Sequence, residues 1–574
     1  MNRLFVWLGA IVLLSFNAAS DARVLTREFL LGTDKLPSPL PMSEFTPPSA
    51  SAAAPAKFEG RLSLSREKSL DELKIHRDAF DAIRTSQGAI GHLPNFDFEF
   101  VQDGTAIIPM RRGYIQNDDA YWEFILEPGV AWLERDDKGM SRAALPFALQ
   151  ERNANCVHNG VLTFLFDERS VSRVAYQIGS ETCAYFQADF WGVLPATATR
   201  FIPAVREAIV AAFRREVAAR LPVKSVDTLS RDFPGADARR FGSRNEIPPA
   251  DMTAFGFVID GVHYAGGCQT RYGSYPFCDV LALPSYSLAK TIVAGLATLR
   301  LERLYPGTLR QQISAYVPEC SDPLGWKSVT FGDALGMATG NFTDPTYDVD
   351  EGAPATIAFF LAEDHATKIH RACGQHERRA TPGTKWVYHT TDTYILGSAL
   401  SAYVRERMGK AADFYDVVLS RALWQPLELS PLMRSIRRTR DGRQQPFTGW
   451  GLVFHRDDIA RIGQFLTRDR GRLNGADFFD AGAFEAAMQR SPADTGLPAT
   501  DASFRYNKGF WAHDISSYIG CAKSVWVPYM AGYGGINVLL FPNDTVYYYF
   551  SDGGTFRWRE AAIESNRIRN MCEA

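Results

Sequence analysis

Leu283-Pro284-Ser285-Tyr286-Ser287-Leu288-Ala289-Lys290-Thr291 runs directly into Ile292-Val293-Ala294-Gly295-Leu296-Ala297, and the reading of this join decides the fold. The second stretch is an apolar, Ala-rich helical run. It places Ser287-Leu288-Ala289-Lys290 on the first turn of a buried helix. A spacing of three sets Ser287 and Lys290 on one helical face, within reach of each other. The helix N-terminus adds partial positive charge that favours an alkoxide or oxyanion nearby. A serine hydroxyl attacks poorly until a neighbour takes its proton, and a desolvated lysine is able to take it. The same spacing recurs at Ser65-Arg66-Glu67-Lys68. There the intervening residues are charged and no apolar helix follows, so that copy reads as a solvated surface turn.

The length of 574 residues allows roughly two to four domains. A net charge of -3 gives no reason to expect nucleic-acid binding or an acidic substrate. Met1-Asn2-Arg3 carries one positive charge, residues 5–16 are apolar, and Asn17-Ala18-Ala19-Ser20-Asp21-Ala22 is small and polar. That three-part pattern predicts a secretory signal peptide over residues 1–22. The apolar stretch falls short of the roughly twenty residues that a membrane anchor needs. The expected location is therefore periplasmic or secreted, with no stable membrane span after cleavage.

Eight cysteines behind a leader predict disulfides. They allow 105 pairings. Sequential pairing is preferred, because each neighbouring pair closes a loop within one expected domain. Cys268 and Cys278 would then bracket the Gly- and Tyr-rich loop before Ser287. A competing use is zinc held by His365, His370, Cys373 and His376, whose residue types suit that ion. Glu377-Arg378-Arg379 follows, the segment reads as a charged loop, and Cys373 has a better use in a disulfide.

Residues 23–57 are rich in proline and small residues, a composition that predicts a disordered tether. From 58 to 200 the signals are mostly strands. Phe96, Phe98 and Phe100 alternate with Asp97 and Glu99, and residues 121–126, 161–166 and 174–178 are further candidates. This is a β-rich domain without a catalytic pattern, and its role is open. Residues 203–221 predict an amphipathic helix, with Val205, Ile209, Phe213, Val217 and Leu221 at spacing four. The remaining domain covers 201–574.

Several later segments carry a pattern of their own. Residues 255–262 precede the serine. Residues 312–319 and 329–340 follow it, and Gly451-Leu452-Val453 precedes Asp458-Ile459-Ala460-Arg461. Tyr388-His389-Thr390 lies in 382–390, and Gly532-Tyr533-Gly534-Gly535-Ile536-Asn537-Val538 leads into the apolar 539–542. In this order, from about residue 250 to the end, they resemble the penicillin-recognising serine hydrolases. That group includes class C β-lactamases, DD-peptidases, carboxylesterases and aminohexanoate-oligomer hydrolases.

The resemblance implies an α+β fold: a β-lactamase-like antiparallel sheet flanked by helices, with a mostly helical subdomain at roughly 300–440. A separate β-rich N-terminal domain would precede it. It implies Ser287 as nucleophile, with Lys290 and Tyr388 as proton-transfer groups. A phenol with a pKa near 10 shuttles a proton usefully only if a cation lowers that value, and Lys290 is the expected cation. Thr390 stands where β-lactamases have asparagine, which is closer to the aminohexanoate-oligomer hydrolases and esterases. His389 is either a proton relay or a residue that faces away and packs.

The backbone N–H groups of Ser287 and Ile536 are the implied oxyanion hole, beside Gly535. The bland alternative makes Gly534-Gly535 a simple bulge. Tyr533 replaces the lysine or histidine that anchors a substrate carboxylate, which favours ester or amide hydrolysis. The implied partner is a small ester, amide or peptide, with no metal or organic cofactor. The rivals are a DD-peptidase or β-lactamase with the same residues, and a non-catalytic binding protein that keeps the fold.

Overall fold

A computed structural model describes residues 23–65, 71–86, 89–321 and 325–573. The expected signal peptide over 1–22 lies outside them, as do Arg66, Glu67 and Lys68 of the second Ser-x-x-Lys copy.

Among the described residues two large sheets dominate. One has 13 strands drawn from Ala52–Ala53 through Ala196–Arg200, and its strand pairs are antiparallel. The strand expected around Phe96 runs Phe96–Asp103, with Phe96 and Phe100 buried and Asp97 exposed. The other candidates form as Trp122–Leu126, Val157–Phe166 and Val174–Thr182. Every residue of the last two strands is buried, because both faces of the sheet are covered. Leu162, Phe164, Tyr176 and Ile178 turn to a core inside this sheet with Phe124 and Phe147. Val161, Leu165 and Ala175 turn the other way and join Leu288 and Ile292 of the helix after Ser287 in a second core. Period two thus divides each strand between two cores.

Residues 23–57 correct the expected tether. Leu25, Leu30, Leu36 and Phe45 are fully buried and belong to the core shared with the helix after Ser287. The Gln177 amide donates to Leu40 O at 2.8 Å and accepts from Leu40 N at 2.6 Å, so it pairs with the segment as a strand would. Average composition hid these spaced apolar residues among the prolines. The 13-stranded sheet has a core of its own, and this second core is common to both regions. The helix expected over 203–221 forms as Arg206–Ala219 and packs beside Phe96–Asp103. Each step of four residues rotates the stripe by about 40°. Ile209 and Phe213 therefore meet the sheet, while Val205 and Val217 at the ends are exposed.

The other sheet has nine strands. Its central run is Val262–Gly267, Met252–Ile259, Val546–Ser551, Ile536–Leu540, Trp526–Gly532 and Phe510–Asp514, all antiparallel. The helix Arg456–Leu466 lies on it, and Gly463 permits the approach: a Cβ there would stand 2.6 Å from Val546. The named elements from Leu296–Leu304 to Pro431–Arg434 are all helical. The expected α+β arrangement of antiparallel sheet with flanking helices is thus present. The cysteines pair sequentially, as Cys156–Cys183, Cys268–Cys278, Cys320–Cys373 and Cys521–Cys572. Among the described residues no helix is long and apolar enough to cross a membrane.

Candidate active site

Ser287 sits in the turn that opens its helix and is half-buried. Tyr286 before it adopts φ 40°, a left-handed conformation that a tyrosine holds only under constraint. The constraint comes from the β-rich region. Asn155 Oδ1 accepts from Tyr286 N at 2.7 Å, Ser285 Oγ at 3.1 Å and Gly451 N at 3.1 Å. Its Nδ2 donates to Leu452 O at 3.2 Å. One buried amide therefore ties three segments together beside Ser287.

After Ser287 the helix is wound as a π-helix over Lys290–Gly295 before continuing as Leu296–Leu304. Lys290 is 2% exposed. Its Nζ lies 2.7 Å from Ser287 Oγ, 2.7 Å from Thr390 Oγ1 and 3.4 Å from Gly449 O. Burial pushes the ammonium down to about 8, against the opposing charges of Glu351 and Asp348. At neutral pH an appreciable fraction is free amine, the form that accepts a proton.

Tyr388 packs against the same lysine, whose Nζ lies 4.8 Å from the ring centroid, over its face. The expected lowering of its pKa does not occur. Burial drives the phenol well above its ordinary value and Glu351 and Tyr347 add to this, with hydrogen bonding to Ser287 opposing. The reason is placement: the lysine meets the π face, where its charge does little for a phenolate oxygen. Tyr388 is thus held as a neutral phenol.

Thr390 opens the helix Thr390–Met408. Its N–H donates to Glu351 Oε2 at 2.8 Å and its hydroxyl donates to Glu351 Oε1. His389 faces away from Lys290. Its Nε2 lies 3.1 Å from Asp350 Oδ2 and its Nδ1 3.6 Å from Asp392 Oδ2. Burial disfavours the imidazolium, but these carboxylates outweigh it and raise His389 to about 9.

The hairpin after Trp526–Gly532 reaches the turn that carries Ser287. A Cβ on Gly532 would stand 2.9 Å from Ser285 O and 3.4 Å from the Cβ of Tyr286. Tyr533, Gly534 and Gly535 form the three-residue loop between the paired Gly532 and Ile536. Gly534 at φ 89° and Gly535 at φ 93° need the freedom of glycine. The Ser287 N–H has no acceptor among the described residues. Tyr533 is 51% exposed, with its ring 5.8 Å from Tyr286 and 6.3 Å from Tyr185. On the Tyr388 side, half-exposed Tyr347 stacks at 6.0 Å on Trp386, which meets Trp511 at 5.2 Å. The serine thus lies between two aromatic walls.

The four candidate zinc ligands do not converge. Cys373 is bonded to Cys320, and His365 pairs with Tyr394 at 3.0 Å on the helix His365–Gly374, where a charged loop was expected. His376 instead joins Asp350 and His389, with ligating atoms within 4.8 Å of one another. The His376 and His389 rings are stacked at 4.5 Å and only 13° from parallel. Their in-plane lone pairs then run in separate planes and cannot meet on one ion, so this donor set does not fit a metal.

Sequence reasoning missed Asn155, Asp348 and Glu351. The first lies outside the catalytic region altogether, and the other two sit in Asp348-Val349-Asp350-Glu351, an acidic run that matches no motif.

No protein-family model matches the sequence, and no curated protein matches it. Among solved structures the chain is similar to a putative 6-aminohexanoate-dimer hydrolase from Bacillus anthracis, at 18% identity and TM-score 0.44, covering 62% of this chain and 87% of that one. It is similar to EstCE1, described as a hydrolase with promiscuous acyltransferase activity, at 14% identity and TM-score 0.40, covering 62% of this chain and 100% of that one. A third is SurE, at 15% identity and TM-score 0.38, covering 62% and 76%. These likenesses are distant, and the functional reading below rests on the geometry of the site.

Proposed function

We propose that this chain is an exported serine hydrolase that cleaves an ester or amide through an acyl-enzyme on Ser287. The observation that carries the reading is the buried Lys290 Nζ, 2.7 Å from the Ser287 hydroxyl and lowered to about 8. Neutral Lys290 takes the hydroxyl proton as Oγ bonds to the substrate carbonyl carbon. The resulting oxyanion is met by the N–H groups of Ser287 and Ile536, donors commonly worth about 3–4 kcal/mol in the transition state. On collapse the carbon–oxygen or carbon–nitrogen bond breaks, and Tyr388 gives its proton to the departing alkoxide or amine. The lysine proton restores Tyr388. Water then attacks the acyl group, a proton passes back through the same groups, and the acid leaves with Ser287 regenerated.

This assigns base and acid by environment: the lysine is easily neutral, while the phenol keeps its proton until a stronger base forms beside it. Tyr533 offers no cation for a substrate carboxylate, which favours ester or amide substrates over β-lactams and wall peptides. The β-rich sheet, spanning 58–200 in this division of the chain, serves to brace the nucleophile turn through Asn155. Four disulfides fit an oxidising compartment, periplasmic or extracellular.

The test is labelling of the purified protein with a fluorophosphonate probe, followed by peptide mapping. Label on Ser287 together with p-nitrophenyl ester turnover is expected. A folded protein that neither labels nor turns over esters, β-lactams or D-Ala-D-Ala peptides would make it a non-catalytic binding protein. Preference for the last two substrates would make it a wall enzyme.

A further inference from the structure

Glu351 belongs to no recognised motif, yet its carboxylate takes both donors of Thr390. We propose that Glu351 is a positioning residue of this site, which turns the Thr390 hydroxyl so that the lone pair of neutral Lys290 points at Ser287. The inference rests on the hydrolase reading above and names how its base is aimed.

The argument is a count of hydrogens. The Thr390 hydroxyl carries one proton, and it goes to Glu351 Oε1. The Thr390 N–H goes to Oε2 of the same carboxylate at 2.8 Å. That grip sits at the first residue of a 19-residue helix, where the partial positive charge of the N-terminus favours an anion. With its proton committed, Thr390 Oγ1 can only accept, so its 2.7 Å contact with Lys290 must be an N–H from the lysine. A neutral amine has two N–H groups and one lone pair. One N–H goes to Thr390, and the other faces Gly449 O at 3.4 Å. What remains toward Ser287, 2.7 Å away, is the lone pair. If the Thr390 hydroxyl were reversed, its proton would occupy that lone pair, and an N–H would face the serine instead. The base would then be turned away from the proton it must take.

The charge of Glu351 has a second consequence. Lys290 faces Glu351 and Asp348 from the loop before the helices, with Tyr388 and Tyr347 beside them, and among the described residues no charge of the nine-stranded sheet acts on it. His389 also feels Glu351, but its imidazolium is paired with Asp350 and Asp392. Glu351 therefore favours the protonated lysine and raises its pKa. Turnover needs the neutral lysine, so removing this charge moves the acid limb of the pH–rate profile to lower pH.

The test compares Glu351→Gln, Thr390→Val and Thr390→Ser in the full-length protein, with p-nitrophenyl acetate as substrate. A misaimed base of this kind typically costs about 10–100-fold. Glu351→Gln is expected to lose that much in kcat with KM within about threefold, and to shift the acid limb of kcat/KM downward. Thr390→Val should match it in kcat, Thr390→Ser should lose far less, and Glu351→Gln/Thr390→Val should be no worse than either single change. A purely structural role would lower the active fraction without moving the pH profile.

An unshifted profile with wild-type kcat, or losses that multiply in the double variant, would overturn the proposal. If Glu351→Gln does not fold, the comparison of Thr390→Val with Thr390→Ser decides, and equal losses for the two would overturn it. Fluorophosphonate labelling separates the two levels. An unlabelled wild type overturns the hydrolase reading itself, whereas a labelled wild type with unaffected variants overturns only the role of Glu351.

Discussion

In the β-rich sheet Arg142 is 1% exposed, and Asp137 holds its guanidinium at 2.7 and 3.0 Å. Beside Ser287, Lys290 is equally buried, yet among the described residues no carboxylate lies within ion-pair distance of it. Its hydrogen-bond partners are two hydroxyls and a carbonyl. A buried charge with a close counter-ion stays charged and fixes architecture. One without such a partner gives up its proton easily and is available for chemistry. Lys368 marks the limit of the rule. It is fully buried and lowered well below its ordinary value, but it donates to Phe359 O at 2.9 Å and Phe360 O at 3.1 Å among aromatic rings. It has no hydroxyl to activate, so desolvation alone does not make a catalytic base.

The sharpest way to break this contrast is Ser287→Ala. It leaves the lysine as buried as before but removes the group it serves. Covalent labelling and ester turnover should both vanish, a loss of at least about 10⁴-fold, since nucleophile removal in comparable enzymes costs that much or more. Circular dichroism should remain unchanged. Full esterase activity in the folded variant would place the nucleophile elsewhere.

Next in size are Lys290→Ala and Tyr388→Phe, each expected to cost about 10²–10⁴-fold. On the proposed path the two groups pass one proton, so the double variant should be scarcely worse than either single one. Losses that multiply would show two independent groups and a wrong proton path. The pH dependence follows from the same environment. A lysine acting as the proposed base works only when neutral, so kcat/KM of the wild type should fall as pH drops below about 8, the value to which burial lowers Lys290. A rate independent of pH between 6 and 9 would remove Lys290 from the base role.

How legible all this was depended on distance along the chain. Ser287 and Lys290 are three apart on one helix, so local spacing exposed that pair, whereas Tyr388 and Thr390 were reached only through the family resemblance. The Glu351–Thr390 contact spans 39 residues and the Asn155–Ser285 contact spans 130. Such contacts leave no periodic trace, and an isolated Asn or Glu looks like any surface residue until the fold closes over it. The tether failed for another reason. Leu25, Leu30, Leu36 and Phe45 are spaced apolar residues in a proline-rich background, and averaging over composition erased them.

Asn155→Ala tests whether the paired, architectural polar groups of the first sheet matter to the reactive one. It would leave the Tyr286 and Gly451 N–H groups buried without an acceptor. Each such group costs about 1–3 kcal/mol. Thermal or urea denaturation should show a clear loss of stability. With Tyr286 freed from its left-handed conformation, kcat should drop by about tenfold or more, since misplacement of even 1 Å at a nucleophile is costly. Stability that falls while kcat stays at the wild-type value would confine Asn155 to holding the sheets together.

The smallest expected effect lies at the rim of the cleft, where the second sheet presents Tyr533 in a position for which the family resemblance implies a cation. The ring is 51% exposed and its aromatic neighbours Tyr286 and Tyr185 carry no charge at neutral pH, burial holding both phenols well above their ordinary value. A hydrogen bond to a charged group is worth about 1.5–3 kcal/mol. Its absence should weaken anionic substrates by roughly one to two powers of ten, while a neutral short-chain p-nitrophenyl ester is unaffected. The wild type should therefore show much higher kcat/KM for that ester than for a chromogenic cephalosporin. Tyr533→Lys should narrow the gap by improving the cephalosporin about tenfold, less than the full contact because the new side chain lies in solvent. Improvement of both substrates together would mean that removing the ring merely opens the cleft. A wild type that already prefers the cephalosporin would show that another cation holds the carboxylate, and the acid-binding half of the site would then have to be sought away from this hairpin.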